Sequence, residues 1–386
     1  MRVHLLTRTP RLISRLLLVT FLIVSSGCAQ TQEVPHGAFV TSDGVGFRVE
    51  VVARGLQVPW SLAFAGDDLY FTERRGTLNV LRKNSKSATL IASISDVRAT
   101  GEGGLMGLAF HPDFTSNRLV YLSYTYNSNG HTLNKVMRYV FGDSGLSRPL
   151  VVVDGIPGAG VHNGNRIKFG PDGKLYITTG DAAQRQIAQD MNSLGGKILR
   201  VNDDGSIPAD NPFPRSRVFS VGHRNPQGIV WDPVSKTMFS AEHGPSGFDG
   251  PGGGDEINLI EAGKNYGWPI VHHQQSEFGM MAPLLEFTPA IAPGGVAFAS
   301  PSVLPGFDKN LFIATLRGAH LLRVIFKKNS VTEVSHTELL LEDVYGRLRD
   351  VILGPDGHLY FCTSNRDGRG SPNNEDDRIL RIIPVE

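Results

Sequence analysis

Only two cysteines, Cys28 and Cys362, occur in 386 residues, so no disulfide framework supports the fold. Cys362 lies in the apolar run Leu359-Tyr360-Phe361-Cys362, where a thiol packs as a small hydrophobe. Neither sign of charge dominates, with 38 Lys and Arg against 37 Asp and Glu and a formal net charge of +1. Four of those arginines, Arg2, Arg8, Arg11 and Arg15, precede Cys28, which leaves residues 29–386 at −3 and excludes a generally basic nucleic-acid surface. The apolar run Leu16 to Val24 is too short to span a bilayer. A metal-binding histidine cluster, a Walker loop, a Gly-x-Ser-x-Gly elbow, a Gly-x-Gly-x-x-Gly after a strand and a Cys-x-x-Cys-His haem site are all missing.

The N-terminus has the order of a secretory signal: the four arginines, that apolar run, then Ser25-Ser26-Gly27-Cys28-Ala29. Small residues before Cys28 suit a bacterial lipoprotein site, with a lipid anchor at Cys28, although Ser25 stands where an aliphatic residue is usual. Cleavage after Ala29 is the rival reading. Residues 1–28 are therefore assigned to a signal peptide, 29–45 to an exported linker and 46–386 to the folded domain, which places the protein in a bacterial periplasm or cell envelope.

Gly 44 and Pro 23 are high for a helical protein, and the apolar segments end at Gly, Pro, Asn and Asp clusters. Six segments repeat one pattern, an apolar strand, a turn and a second strand. Phe64, Phe110, Phe169, Trp231, Phe298 and Leu353 mark equivalent points at a spacing of roughly 45 to 65 residues, the range of four-stranded propeller blades. Residues 166–177 and 350–361 are nearly the same hairpin, each turning at Pro-Asp-Gly, where proline sets φ and glycine accepts positive φ. The pattern predicts an all-β fold, a six-bladed β-propeller of four-stranded antiparallel sheets. A pair of packed sandwiches is the competing architecture.

In a propeller, loops from successive blades converge at one end of the central channel, so distant residues can share one site. His162 precedes the third blade's first strand and Asp181 follows its second, close enough for Asp181 to hold the imidazole in one tautomer and leave the other nitrogen free to take a proton. Arg224, beside Asn225 in Gly222-His223-Arg224-Asn225-Pro226-Gln227-Gly228, suits an electron-poor, oxygen-bearing group. Arg317, Arg347 and Arg349 add cations near blade strands, and residues 347 and 349 point the same way in extended chain. Four such arginines imply a polyanionic ligand. Carbonyls and carboxylates in the glycine-rich stretch that ends at Asp255-Glu256, followed by Asn265-Tyr266-Gly267-Trp268-Pro269, suit a hard cation such as calcium. Each feature alone also reads as a solvated turn or charge pair. His111, in Phe110-His111-Pro112-Asp113-Phe114, reads as a turn residue.

At these residues the chain resembles the soluble, quinone-dependent aldose sugar dehydrogenases of the glucose and sorbosone dehydrogenase family. The resemblance runs from Gly55 to Arg381 through GLMGLAFHPDF, GPDGKLYITTGD, LGGKILRVNDDGSIPADNPF, GHRNPQG, GDEINLI, NYGWP and RLRDVILGPDG. It implies pyrroloquinoline quinone (PQQ), whose three carboxylates would meet the arginines, with calcium (Ca2+) beside the quinone. By position it implies His162 as general base and Asp181 as its orienting partner, and Arg224 and Asn225 as the pair at the quinone oxygens. Glu102, Arg317, Arg347 and Arg349 match further cofactor contacts. Gly244 and Pro245 match calcium ligands through their carbonyls, and Glu256 and Tyr266 resemble a separate structural calcium site.

Four departures bear on these roles: Glu102 stands for a glutamine, Arg317 for a lysine, Val161 for an acidic neighbour of the base, and the stretch Ser246 to Gly254 is longer than usual. The expected partners are an aldose sugar and an external electron acceptor, a quinone or soluble redox carrier. A lipid-anchored or free monomer or homodimer fits the same sequence. The alternatives are a non-catalytic exported propeller that binds a protein or glycan, and a calcium-dependent lactonase.

Overall fold

The computed structural model describes residues 37–85, 87–277 and 279–385. The expected signal peptide, Cys28 and residues 29–36 of the linker lie outside them. Among the described residues no helix is long and apolar enough to cross a membrane.

Strands form six antiparallel sheets, five with four strands and one with five. Their innermost strands are Pro59–Ala65, Leu105–Phe110, Gly164–Phe169, Pro226–Trp231, Pro293–Ala299 and Leu348–Leu353, which define blades 1 to 6 in that order. These six strands contact one another in a closed ring, so the molecule is a six-bladed propeller. Each of the six apolar markers read from the sequence lies in one of them, at or within a residue of its outer end. The Pro-Asp-Gly turns take the expected conformation, with Gly173 at φ +72° and Gly357 at φ +76°. In both hairpins the turn aspartate also accepts from a tyrosine hydroxyl four residues on, Tyr176 to Asp172 at 3.0 Å and Tyr360 to Asp356 at 2.8 Å.

The ring is closed by the two ends of the chain. Gly46–Ala53 pairs with Ile379–Pro384, Val49 opposite Ile382, and supplies blade 6 with its outer strand. The 29–45 segment is not all linker: Ala38–Val40 adds a fifth strand to this sheet. The reason is local, because Phe39 stacks on Phe47 at 5.4 Å between ring centroids.

The core is a ring of six packets, one between each pair of neighbouring blades. Leu359–Thr363 of blade 6, for example, is buried along its whole length because blades 5 and 1 cover its two faces. That explains why the second strands read as continuous apolar runs instead of alternating.

Every innermost strand has a register shift near its N-terminal end. Such bulges bend a strand and re-aim its side chains. Within the channel, Arg166 of blade 3 donates to Ser61 Oγ of blade 1 and Asp350 Oδ2 of blade 6, both at 3.0 Å, and to the Gln227 carbonyl of blade 4 at 2.9 Å. Its guanidinium also lies over the Trp60 ring, 4.3 Å from the centroid. One buried cation thus ties four blades together at the axis.

Candidate active site

The N-terminal end of each innermost strand and the C-terminal end of its partner lie at the same mouth of the channel. His162 and Arg224 enter it before blades 3 and 4, Glu102 before blade 2 and Arg347 before blade 6. Asp181, His243 and Asp367 follow second strands. This topology gathers residues from 102 to 369 around one funnel.

His162 and Asp181 meet there. The imidazole Nδ1 donates to Asp181 Oδ1 at 2.7 Å, and the same oxygen accepts the Ala183 N–H at 2.8 Å. Asp181 Oδ2 accepts from Trp268 Nε1 at 2.8 Å. The backbone here is held in unusual conformations: His162, Asn165, Ala182 and Ala183 all have φ between +49° and +69°. For residues with a Cβ this costs about 1–2 kcal/mol each, and such strain clusters at functional sites. Close approach of the two loops depends on Gly180, because a Cβ there would lie 1.9 Å from the His162 carbonyl oxygen.

Glu102 turns both carboxylate oxygens to the chain. Oε2 accepts the His162 backbone N–H at 3.1 Å and Oε1 accepts from Arg369 at 2.5 Å. Burial pushes this carboxyl up, but the charge and hydrogen bond of Arg369 outweigh it and hold it below the usual carboxylate range. The negative charge that departs from the family pattern is therefore compensated by Arg369.

Three of the four arginines carry internal carboxylate partners. Arg224 Nε donates to Asp249 at 2.7 Å, and Arg347 donates to Asp367 at 2.9 Å through both Nε and Nη2. Arg349 lies 3.9 Å from the same Asp367 oxygen and donates to Gln227 Oε1 at 2.5 Å. Burial pulls the Arg349 guanidinium down to about 10 despite Asp367. Arg317 is exposed and makes no ion pair among the described residues, although Arg347 reaches the carbonyl of its neighbour Leu316. Two buried donors, Asn225 Nδ2 and Arg349 Nε, have no acceptor within the described protein. Unmet N–H groups beside guanidiniums suit a ligand rich in anionic oxygen.

A second group of acceptors lies on blade 4. Glu242 and Glu256 stand directly opposite on adjacent strands, and Glu256 is opposite Glu286 on the next. Like charges in such positions repel, and burial together with Glu242 raises the Glu256 carboxyl well above its ordinary value. Asn258 Oδ1, two residues along the same face, is a buried acceptor without a donor among the described residues. Hard oxygens of this kind are the donors calcium takes, although among the described residues no three carboxylate or imidazole side chains converge into a metal-binding group. The Tyr266 hydroxyl is committed elsewhere, donating to the Leu259 carbonyl and accepting the Glu261 N–H, so only its backbone carbonyl is available to a cation. A small pocket is lined by residues of both groups, Arg224, Glu242, His243, Gly244, Pro245 and Glu256. A groove of about 560 Å³ between blades 1 and 6 includes none of these residues.

Sequence reasoning misses Trp268, His243, Asp367, Glu242 and Arg369. Trp268 lies within the motif at residues 265–269 and Glu242 beside Gly244, but nothing local pairs Trp268 with Asp181 or Glu242 with Glu256. His243 donates from Nε2 to the Pro293 carbonyl at 2.9 Å, and burial lowers its pKa to about 3, so it is a neutral wall of the funnel.

These features define a class, a six-bladed propeller with a carboxylate-held histidine and buried guanidiniums at one mouth of its channel. Residues 56–380 match the glucose/sorbosone dehydrogenase family model, and the chain belongs to that family and so to the oxidoreductases. It is 33% identical to the aldose sugar dehydrogenase YliI of Escherichia coli, over 84% of this chain and 93% of that one. The PQQ-bound aldose sugar dehydrogenase of Streptomyces coelicolor superposes with a TM-score of 0.78 at 37% identity, covering 88% of this chain and 98% of that one. A putative glucose dehydrogenase of Thermus thermophilus superposes with a TM-score of 0.80 at 44% identity, covering 88% and 100%.

Proposed function

We propose that the protein oxidises aldose sugars at the anomeric carbon to lactones, with PQQ as cofactor and calcium beside it. The observation that carries this reading is the buried chain His162–Asp181–Trp268. It leaves imidazole Nε2 as the unprotonated nitrogen, because Nδ1 carries the proton shared with Asp181. His162 takes the proton of the anomeric hydroxyl at Nε2, and Asp181 stabilises the imidazolium that forms. When bound, the quinone supplies the two-electron acceptor for hydride from that carbon.

Arg224 and Asn225 would meet the quinone oxygens, Arg347 and Arg349 would meet the carboxylates of the cofactor, and exposed Arg317 on blade 5 is a further candidate for a carboxylate. Glu102 holds the loop that carries the base. The Gly244 and Pro245 carbonyls accept no hydrogen bond among the described residues and are the proposed ligands of the cofactor-side calcium. Glu256, with Glu242 and the Tyr266 carbonyl, holds a second, structural calcium. The leader at residues 1–28 supports a place outside the cytoplasmic membrane, where an external acceptor reoxidises the cofactor. Protein prepared without cofactor should reduce a dye with several aldoses only after PQQ and calcium are added. Dye reduction that is absent with both present overturns the proposal.

A further inference from the structure

We propose that the Ser246–Gly254 loop is a gate over this site, in which Asp249 occupies Arg224 and Phe248 covers His162. The loop leaves blade 4 after Glu242 and reaches across to blade 3, where Arg185 Nη1 donates to the Asp249 carbonyl at 3.1 Å. Asp249 Oδ2 accepts from Arg224 Nε at 2.7 Å, while its other oxygen accepts the Ser246 N–H at 2.9 Å. Ser246 Oγ in turn accepts from Arg224 Nη2 at 3.0 Å. The remaining guanidinium nitrogen donates to the His243 carbonyl at 3.2 Å. Every nitrogen of Arg224 is thus engaged, two of them by this loop.

Phe248 lies over the proposed base. Its ring is 22° from parallel with the His162 imidazole at 6.0 Å between centroids, yet the residue is 70% exposed. An exposed phenyl ring gains little from burial, so the Asp249 ion pair, about 10% exposed on its carboxylate side, is what holds the loop down. The rest of the loop is Gly247, Gly250, Pro251, Gly252, Gly253 and Gly254, a composition that resists both helix and strand. Burial raises the Asp249 carboxyl and Arg224 more than offsets this, so the group stays anionic at neutral pH. Only one carboxylate-like oxygen can hold the Arg224 Nε–H. An anionic ligand that reaches Arg224 therefore displaces Asp249, and the loop opens over His162 as it does so.

The identity of the ligand rests on the proposed function; the gate itself does not. The test uses protein prepared without cofactor and two readouts. Acylation of His162 by diethyl pyrocarbonate, mapped by peptide mass, should be several-fold faster in Asp249→Asn and in Phe248→Ala. Binding of PQQ with calcium, followed by tryptophan fluorescence, should tighten in Asp249→Asn by about tenfold, the factor a gate closed nine-tenths of the time imposes. In Phe248→Ala, which keeps the Arg224 ion pair, it should stay within about twofold. Unchanged acylation in both variants, or PQQ affinity that is equal or weaker in Asp249→Asn, overturns the gate. Faster acylation with no PQQ binding in any protein upholds the gate and removes the quinone reading instead.

Discussion

Replacing Asp181 by Asn tests the proposed base most directly. Three donors converge on this fully buried carboxylate, His162 Nδ1 and the Ala183 N–H on one oxygen and Trp268 Nε1 on the other. An amide of the same shape has a single acceptor oxygen. If that oxygen faces His162 and Ala183, the NH2 group meets the Trp268 N–H and the third bond is lost, at a cost of about 1–3 kcal/mol. If it faces Trp268, the NH2 group points at His162 Nδ1 and moves the imidazole proton to Nε2, the nitrogen that has to accept one. In both orientations the charge that balances the imidazolium is gone. A positioned base contributes about 10²–10⁴-fold, or about 2.7–5.4 kcal/mol of barrier, and the loss should fall in that range. Stopped-flow measurement of reduction of the preloaded cofactor by an aldose isolates the chemical step from binding. A rate constant within about threefold of the wild type at full cofactor loading refutes the assignment of His162 and Asp181.

Calcium at about a hundred times its dissociation constant should stabilise the cofactor-free protein by about 2.7 kcal/mol, some 3–4 °C for a chain of this size. Glu256→Gln should lose most of that gain in a thermal melt, and equal calcium responses would remove Glu256 from the site. His243 titrates in the folded protein only at about 3, against 6.5 when unfolded. The unfolded state therefore binds the extra proton between those values, and stability should fall as pH drops through that window, by up to about 1.4 kcal/mol per unit. His243→Gln should flatten the slope; melts that keep the wild-type pH dependence would show that the acid sensitivity lies elsewhere. Arg166→Met should cost about 3–5 kcal/mol by leaving Asp350 buried without its cation. A double variant with Asp350→Asn should recover part of this, and strict additivity would contradict the brace at the channel axis.

The fold is legible because its signals are local. Phe64, Phe110, Phe169, Trp231, Phe298 and Leu353 mark the six innermost strands, and the two Pro-Asp-Gly hairpins show that the unit repeats. His162 with Asp181 is legible for the same reason: one hairpin joins them, with Gly164 opposite Thr179. The edge strand Ala38–Val40 escapes notice because it is short and its support, Phe47 packed on Phe307, comes from the closed ring. Glu242 opposite Glu256 is a matter of strand register, which the long intervening loop hides.

The sequence by itself determined the inventory: strands and turns, six repeats, a histidine with a nearby carboxylate, and more guanidiniums than a neutral surface needs. Only the tertiary structure decided how those charges are paired. Trp268 reaches Asp181 across 87 positions and Arg369 reaches Glu102 across 267. No periodicity encodes such contacts, because which loops face each other follows from the angle between blades once Gly46–Ala53 closes on Ile379–Pro384. The hairpin of blade 4 sets Asp249 against Arg224, and the packing of blade 4 on blade 3 sets Phe248 over His162. In a propeller, chemistry is written along the chain, while the electrostatics of the site come from the ring.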